Sequence, residues 1–141
     1  MEIADAMTSQ VQTINVLATA EEAAARMALF HVGALPVYSE GRLVGIITDR
    51  DILVRCVAEG KSPGKTNLGI LMTPNPVTVG PREPVTRAVE IMSALGFRRL
   101  PVVDQGHVIG IISVKDLVRR VNDGALLVGL LQALARGADA A

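Results

Sequence analysis

The stretch "GIITDRDI", residues 45–52, returns 65 residues later as "GIISVKDL", residues 110–117. In each stretch a run of isoleucines ends in a hydroxyl residue, and an aspartate follows three positions on. A Ser or Thr with an acid three residues later is typical of a capping box, in which the two side chains close the first turn of a helix. Each stretch therefore predicts a strand that runs directly into a helix.

The same shift aligns nearly the whole of each half of the chain. It places 35–37 on 100–102, Met7-Thr8 on Met72-Thr73, Thr13 on Thr78, Met27 on Met92 and Gly41 on Gly106. A fixed period of this kind predicts a tandem of two copies. A polar stretch rich in Gly, Lys and Pro marks the join. The predicted parts are a first repeat at 1–60, a linker at 61–67, a second repeat at 68–124, and a C-terminal helix and tail at 125–141.

Each copy predicts the order strand, helix, strand, strand, helix. The predicted strands are 13–16, 34–38, 43–48, 77–79, 100–103 and 108–113. A capping-box signature at residues 19–22 predicts the start of the first helix of copy one. Apolar residues at helical spacing predict one face of that helix, formed by Ala20, Ala23, Ala24, Met27 and His31. The same face of the equivalent helix in copy two is formed by Val85, Ala88, Val89 and Met92. Pro36 and Pro101 predict an edge or a strand start, because proline donates no ladder hydrogen bond. One copy is too small to bury much core, so we expect two α/β repeats packed with pseudo-two-fold symmetry.

The composition limits the class of protein. Half of the 141 residues are hydrophobic but only 2% are aromatic, so an aliphatic core is expected. A net charge of zero without a basic stripe argues against nucleic-acid binding. A single cysteine, Cys56, allows no internal disulfide and favours a reducing compartment. Acids at Glu2 and Asp5 argue against a signal peptide, and no apolar run is long enough for a membrane span. We expect a soluble, cytoplasmic protein.

With these features, residues 1–122 resemble a tandem pair of CBS (cystathionine β-synthase) domains, often called a Bateman module. The resemblance implies a regulatory role. It also implies that an adenosine-containing ligand, such as AMP, ADP, ATP, S-adenosylmethionine or NAD, binds in clefts between the copies and signals to a separate protein partner. It implies no required cofactor, and whether Mg²⁺ accompanies the nucleotide stays open. The alternatives are a ligand-free structural or dimerisation scaffold and, less favoured, a nucleotide-processing enzyme.

The resemblance assigns ribose and phosphate contacts to Thr48 and Asp51 in the first copy and to Ser113 and Asp116 in the second. A carboxylate suits the vicinal hydroxyls of a ribose, and the free N–H groups at the start of a helix suit a phosphate. The same residue types also form a plain helix cap, and the two roles can coexist.

The copies differ just before the Leu-Pro-Val strand. Arg98 and Arg99 stand where the first copy has Gly33 and Ala34. The resemblance places phosphate-binding residues here, and the guanidinium fork suits phosphate. The second motif is therefore expected to prefer a phosphorylated ligand, and the first a less charged adenosyl group or nothing; the alternative is a solvated arginine pair. Weaker assignments are Lys115 as a further phosphate contact or an exposed residue, and Asn15, Val16, Gly80, Pro81, Ile46 and Ile111 around the adenine.

The remaining features predict no enzyme. The histidines, His31 and His107, have no partner at zinc-ligand spacing, and Cys56 is expected to be a buried apolar residue. No phosphate-binding G-x-x-x-x-G-K-[ST] loop is present. A leucine stripe predicts a C-terminal helix that packs on its own domain, across a homodimer, or on a regulated partner; it contains Leu126, Leu127, Leu130, Leu131 and Leu134. The resemblance also implies a homodimer, with an interface expected at the helices after each motif, through Ile52, Leu53, Leu117, Val118 and Val121.

Overall fold

A computed structural model describes residues 1–140; residue 141, the last of the predicted tail, lies outside the described residues. The chain divides into two compact units. The Asp51 unit consists of residues 12–76, and the Asp116 unit consists of residues 1–11 together with the chain from residue 77 onward. Each unit is named after the acid of the motif that it contains. No helix within the described residues is both long enough and apolar enough to cross a membrane.

The elements confirm the predicted α/β class and the C-terminal helix. The helices are α1 (Ile3–Ala6), α2 (Ala20–Phe30), α3 (Asp49–Asp51), α4 (Val85–Leu95), α5 (Val114–Arg120) and α6 (Gly124–Ala140). The strands are β1 (Thr8–Ser9), β2 (Ile14–Asn15), β3 (Ala34–Ser39), β4 (Arg42–Thr48), β5 (Thr73–Pro74), β6 (Arg99–Asp104) and β7 (His107–Ser113). Helix α3 continues as π-helical turns over Ile52–Val57, and short 3₁₀ turns lie at Pro63–Lys65 and Leu68–Ile70. The predicted strand at 77–79 is reduced to one bridge between Val79 and Val102.

Each unit contains one sheet, and each sheet contains a hairpin with the same strand register. The strand order is β2-β3-β4-β5 in the Asp51 unit and β1-β7-β6 in the Asp116 unit. Ala34 pairs with Thr48 in one hairpin, and Arg99 pairs with Ser113 in the other. Since these pairs are related by the 65-residue shift, the backbone confirms the repeat that the sequence predicts.

In each sheet a two-residue strand pairs with the strand that carries the first glycine of the motif, Gly45 or Gly110. Strand β1 pairs with β7, and β5 pairs with β4. A Cβ on Gly110 would lie 2.8 Å from the carbonyl oxygen of Thr8, and one on Gly45 would lie 2.9 Å from that of Thr73. The motif begins with glycine because the neighbouring strand leaves no room for a side chain.

Helix α2 shows which part of the helical prediction was wrong. Its capping box is confirmed, since the Glu22 amide donates to Thr19 Oγ1 at 3.2 Å. Ala20, Ala23 and Met27 are buried, as are the four residues predicted for α4. Two residues were wrongly placed on the buried face. Ala24 is exposed, and His31 is exposed because the helix ends there with a left-handed residue at φ 53°.

The two prolines occupy equivalent positions, since Pro36 is the third residue of β3 and Pro101 is the third residue of β6. Pro101 lies in β6, the last strand in the order of its sheet, but the other side of β6 is not free, because the Val79 amide donates to the Pro101 carbonyl and the Val103 amide donates to the Val79 carbonyl. Pro36 lies in β3, which has β2 on one side and β4 on the other, so the edge prediction was wrong there. Pro36 is accommodated because β2 pairs only with Val37 and Tyr38.

Helix α6 packs on its own unit. Leu130 and Leu134 are 1% and 4% exposed and belong to the core of the Asp116 unit. Leu126 and Leu127 are partly buried against that core, whereas Leu131 is exposed. Packing within the domain is therefore confirmed for this helix.

The interface predicted after each motif is partly wrong. Ile52 and Leu117 are buried in the cores of their own units, so neither is available to a partner. Leu53 and Val118, one residue further along each helix, are exposed. Cys56 is fully buried, as expected of an apolar residue.

Candidate ligand site

The first motif forms a complete capping box at the junction of β4 and α3. The Asp51 amide donates to Thr48 Oγ1 at 3.0 Å, and the Thr48 amide donates to Asp51 Oδ2 at 2.9 Å. Thr48 has extended backbone, so the strand turns directly into the helix. The predicted cap is confirmed.

The second motif forms the same box at the junction of β7 and α5. The Asp116 amide donates to Ser113 Oγ at 3.2 Å. The Ser113 amide and hydroxyl both donate to Asp116 Oδ2, at 2.9 and 2.8 Å. Both motif acids therefore bond to the backbone of their own helix cap, which leaves their second oxygen as the main acceptor for any ligand.

The second carboxylate oxygen has a different partner in each motif. Asp116 Oδ1 accepts a 2.9 Å hydrogen bond from the Thr8 hydroxyl, and Asp116 is 7% exposed. Asp51 Oδ1 lies 3.8 Å from Arg55 Nε, which is an ion pair beyond hydrogen-bond length. Asp51 therefore has the more available oxygen.

Backbone amides at the first motif are already used within the chain. The Asp49 amide donates to the Gly33 carbonyl at 3.0 Å, and the Arg50 amide donates to Asp49 Oδ1 at 2.9 Å. With the Asp51 amide on Thr48, all three amides of α3 have partners. The expectation that this helix start offers free N–H groups to a phosphate was wrong.

Three cations surround the second motif. Arg99 is the cross-strand partner of Ser113, and the Arg98 carbonyl accepts from the Val114 amide at 3.0 Å. Lys115 lies in the first turn of α5 and is exposed. Among the described residues, no ion pair or side-chain hydrogen bond engages any of these three charges.

The first motif lacks two of these three cations, since Gly33 and Ala34 stand in place of Arg98 and Arg99, whereas Arg50 stands in place of Lys115. Asp49 also stands in place of Val114. A Cβ on Gly33 would lie 3.1 Å from Asp49 Oδ2, so the Asp49 carboxylate occupies the space next to that glycine. The two motifs thus share a backbone but differ in the sign of their charge.

The adenine-site residues predicted in the Asp51 unit lie in β2, directly after β2 and in β4. Asn15 is exposed, and its Oδ1 accepts from the Leu17 amide at 2.9 Å. The Val16 amide donates to the Tyr38 carbonyl at 2.8 Å. Ile46 is half-buried in β4. The role of these residues in binding adenine stays a prediction.

The adenine-site residues predicted in the Asp116 unit lie before α4 and in β7. The Gly80 amide donates to Glu83 Oε2 at 2.6 Å, and the Pro81 carbonyl accepts from the Ala4 amide at 2.9 Å. Ile111 is half-buried in β7, opposite Thr8. Their role in binding adenine likewise stays a prediction.

Sequence reasoning missed three residues that hold the short strands. Thr8 bonds to Asp116; Arg55 donates to the Leu71 carbonyl at 2.9 Å, and Arg120 donates to the Asp5 carbonyl at 3.4 Å. Arg55 and Arg120 are related by the 65-residue shift, so the repeat alignment contained the signal that identifies them.

The family comparison matches both repeats. A model described as "CBS domain" matches residues 3–57 and again residues 68–123. The chain belongs to the CBS domain family. Each matched CBS range begins with residues that the fold assigns to the other unit, since residues 3–11 lie in the Asp116 unit and residues 68–76 in the Asp51 unit.

Relatives and solved structures support this assignment. The CBS domain-containing protein YhcV of Bacillus subtilis is 39% identical over 115 residues, which cover 82% of this chain and 81% of YhcV. The conserved CBS domain protein TA0289 of Thermoplasma acidophilum, of unknown function, has a TM-score of 0.83 at 27% identity, covering 94% of this chain and 75% of that one. The CBS domain pair of protein MJ0100, solved in complex with 5′-methylthioadenosine and S-adenosyl-L-methionine, has a TM-score of 0.76 at 30% identity, covering 84% and 94%.

Metal-ligand clusters give no alternative site in the described part of the chain. No group of three or more His, Cys, Asp or Glu side chains there is arranged to hold a metal ion.

Proposed function

We propose that this CBS domain pair is a regulatory module that binds an adenosine-containing ligand through its motif acids and signals to a separate protein. The ligand class comprises AMP, ADP, ATP, S-adenosylmethionine and NAD. The observation that carries the proposal is the set of three cations, Arg98, Arg99 and Lys115, which stand at or beside the second motif and have no ion-pair partner among the described residues. The CBS domain pair of protein MJ0100, which is 30% identical, was solved in complex with two adenosyl compounds. Unpaired cations next to a hydroxyl and a carboxylate match the phosphate and ribose of a nucleotide.

The sugar is proposed to bind the motif acids. A carboxylate has about four lone-pair sites, so a capping acid retains acceptor capacity. Asp51 suits this role because its Oδ1 makes only a 3.8 Å ion pair with Arg55. A ribose hydroxyl bonded to this oxygen would leave the helix cap, which uses Oδ2, intact.

The two motifs are proposed to prefer different ligands. At the Asp116 motif, Arg98 and Arg99 favour a phosphorylated ligand. At the Asp51 motif, the neighbouring Asp49 repels phosphate and favours a less charged adenosyl compound. Regulation follows if one ligand binds one arrangement of the protein better than another, since only differential affinity shifts a conformational equilibrium.

A ligand-free scaffold is the second candidate, and a specific observation favours it. Both motif acids complete a capping box, which is a sufficient structural reason for an acid at that position. In this hypothesis the acids act only as caps, and the pair serves to hold other proteins or a second copy together.

The partners proposed are a second copy of the chain and an unidentified protein target, with no nucleic acid and no membrane surface. Leu53 and Val118 are the candidates for the self-interface, because they are exposed at equivalent positions of the two repeats. The proposed setting is the cytoplasm, and no catalytic step is proposed.

Thermal unfolding with AMP, ADP, ATP, S-adenosylmethionine and NAD tests the proposal. A ligand at one hundred times its dissociation constant adds about 2.7 kcal/mol of stability. Arg98→Gln with Arg99→Gln should weaken ATP binding about ten- to a hundredfold while sparing S-adenosylmethionine. Arg119→Gln is the matched control, since Arg119 lies in the last turn of α5, away from the motif. An unchanged unfolding temperature with every compound favours the ligand-free scaffold, and conversion of a nucleotide into a product favours an enzyme.

A further inference from the structure

The acid of the second motif is fully engaged by the chain itself. Asp116 Oδ2 accepts from the Ser113 amide and hydroxyl, and Oδ1 accepts from the Thr8 hydroxyl at 2.9 Å. The first two contacts belong to the helix cap. The third comes from β1, a two-residue strand that is 108 residues away in the sequence.

The Thr8 contact is not a requirement of the fold. Thr73 occupies the equivalent position of the other unit, and β5 pairs it with Ile46 as β1 pairs Thr8 with Ile111. Within the described residues, however, no hydrogen bond joins the Thr73 hydroxyl to Asp51. The same backbone arrangement therefore exists with and without a hydroxyl on the motif acid.

The structure assigns Thr8 as an intramolecular competitor of the ligand's ribose. Its hydroxyl donates to Asp116 Oδ1, the oxygen to which a 2′ or 3′ hydroxyl of the ligand would otherwise donate. This inference rests on the proposed function and deepens it, because it makes Thr8 the residue that sets affinity and sugar selectivity at the Asp116 motif. Thr8 is exposed, so rotation of its side chain frees the oxygen without moving the strand. Within the described residues no hydrogen bond joins the Thr8 side chain to Arg98 or Arg99, so we expect phosphate contacts at this motif to be unaffected.

Two consequences follow for wild-type protein. A nucleotide gains less from its ribose at Asp116 than at Asp51, because the first step at Asp116 is the loss of a charge-assisted hydrogen bond. Removal of one sugar hydroxyl from the ligand should accordingly cost little at Asp116, and it should cost much more once the Thr8 hydroxyl is absent.

Calorimetric titration of the full chain with AMP, 2′-deoxy-AMP and 3′-deoxy-AMP tests the inference. All proteins carry Asp51→Asn, whose amide oxygen preserves the Thr48 cap, so that the signal reports the Asp116 motif. Thr8→Val replaces the hydroxyl with a methyl group of similar size and suits a strand. It should tighten AMP binding about tenfold and raise the preference for AMP over the weaker deoxy analogue by a similar factor. Thr73→Val, the matched control, should change neither quantity.

The outcomes separate the two hypotheses. If Thr8→Val leaves AMP affinity and sugar preference unchanged, or weakens binding, Thr8 is not a competitor, although the proposed function stands. If AMP binds the wild-type chain but binds none of the proteins that carry Asp51→Asn, only the competitor inference is refuted. If AMP binds none of the proteins, including the wild-type chain, the Asp116 motif does not bind this nucleotide and both ideas fail for it. Thr8→Ala is measured in parallel, so that poor folding of one variant does not decide the result.

Discussion

Gly110→Ala tests the close contact that fixes the short strand on the motif. The backbone of Gly110 has no left-handed φ, so alanine is allowed there and any cost arises from space. The new Cβ would lie 2.8 Å from the Thr8 carbonyl oxygen and 2.6 Å from Met7 Sδ. The methionine tip can move aside, but the carbonyl belongs to the backbone of β1, so the strand itself must shift.

The magnitude follows from two terms. Overpacking at a filled position costs about 1–3 kcal/mol. A shifted β1 also strains the Thr8 bond to Asp116, and a hydrogen bond to a charged group contributes about 1.5–3 kcal/mol when it is lost completely. Partial loss of that bond brings the expected destabilisation to about 2–4 kcal/mol.

Urea unfolding of the full chain measures this loss as a lower transition midpoint. Gly129→Ala is the matched control, because a Cβ there meets nothing within 4 Å and the residue lies inside α6. It should raise stability by about 0.5–1 kcal/mol, since alanine favours a helix interior over glycine. A Gly110→Ala protein as stable as wild type, or two substitutions with the same sign, would show that the contact with β1 does not constrain the motif.

Three further predictions concern packing, capping and strand attachment. Leu130→Ala should cost about 2–5 kcal/mol in urea unfolding because Leu130 is 1% exposed, while Leu131→Ala should change little; equal losses would contradict the assigned face of α6. Thr19→Ala should cost about 0.5–2 kcal/mol in thermal unfolding through loss of the α2 cap, and an unchanged midpoint would argue against that cap. Arg55→Gln should accelerate amide exchange in the segment that contains Thr73, since Arg55 holds the preceding carbonyls; unchanged exchange would mean that sheet pairing alone holds β5.

The local features of the fold were predictable because short-range sequence patterns encode them. A hydroxyl residue with an acid three positions later determines its own helix start, and all three predicted boxes, at Thr19, Thr48 and Ser113, form. The turn residues Gly41 and Gly106 likewise adopt the positive φ that a tight hairpin needs. In each case the interacting groups lie within a few residues of one another.

The missed features depend on contacts between distant parts of the sequence. Nothing local to Thr8 indicates that its hydroxyl reaches Asp116, and no periodicity predicts that residues 1–11 join the later part of the chain. The helix-face error had a different cause. Ala24 fits the spacing but α2 buries a narrower face than the pattern allows, and His31 ends the helix instead of continuing it.

The two repeats have the same or similar residues at positions that support the backbone and different residues at several positions proposed to contact a ligand. The motif glycines, the methionines packed over them and the two caps recur at the 65-residue shift, because each contributes to strand pairing or helix initiation. The two cations that precede the Leu-Pro-Val strand do not recur, since Arg98 and Arg99 replace Gly33 and Ala34, and position 33 or 98 contributes a main-chain carbonyl to the fold in both repeats. Side chains that are not packed in the core can change without cost to stability, so the proposed difference in ligand preference between the two motifs would arise at these positions. Thr8 and Thr73 show that the same residue at equivalent positions need not make the same contact. The Thr8 hydroxyl bonds to Asp116, whereas the equivalent acid of the other unit, Asp51, pairs with Arg55 instead.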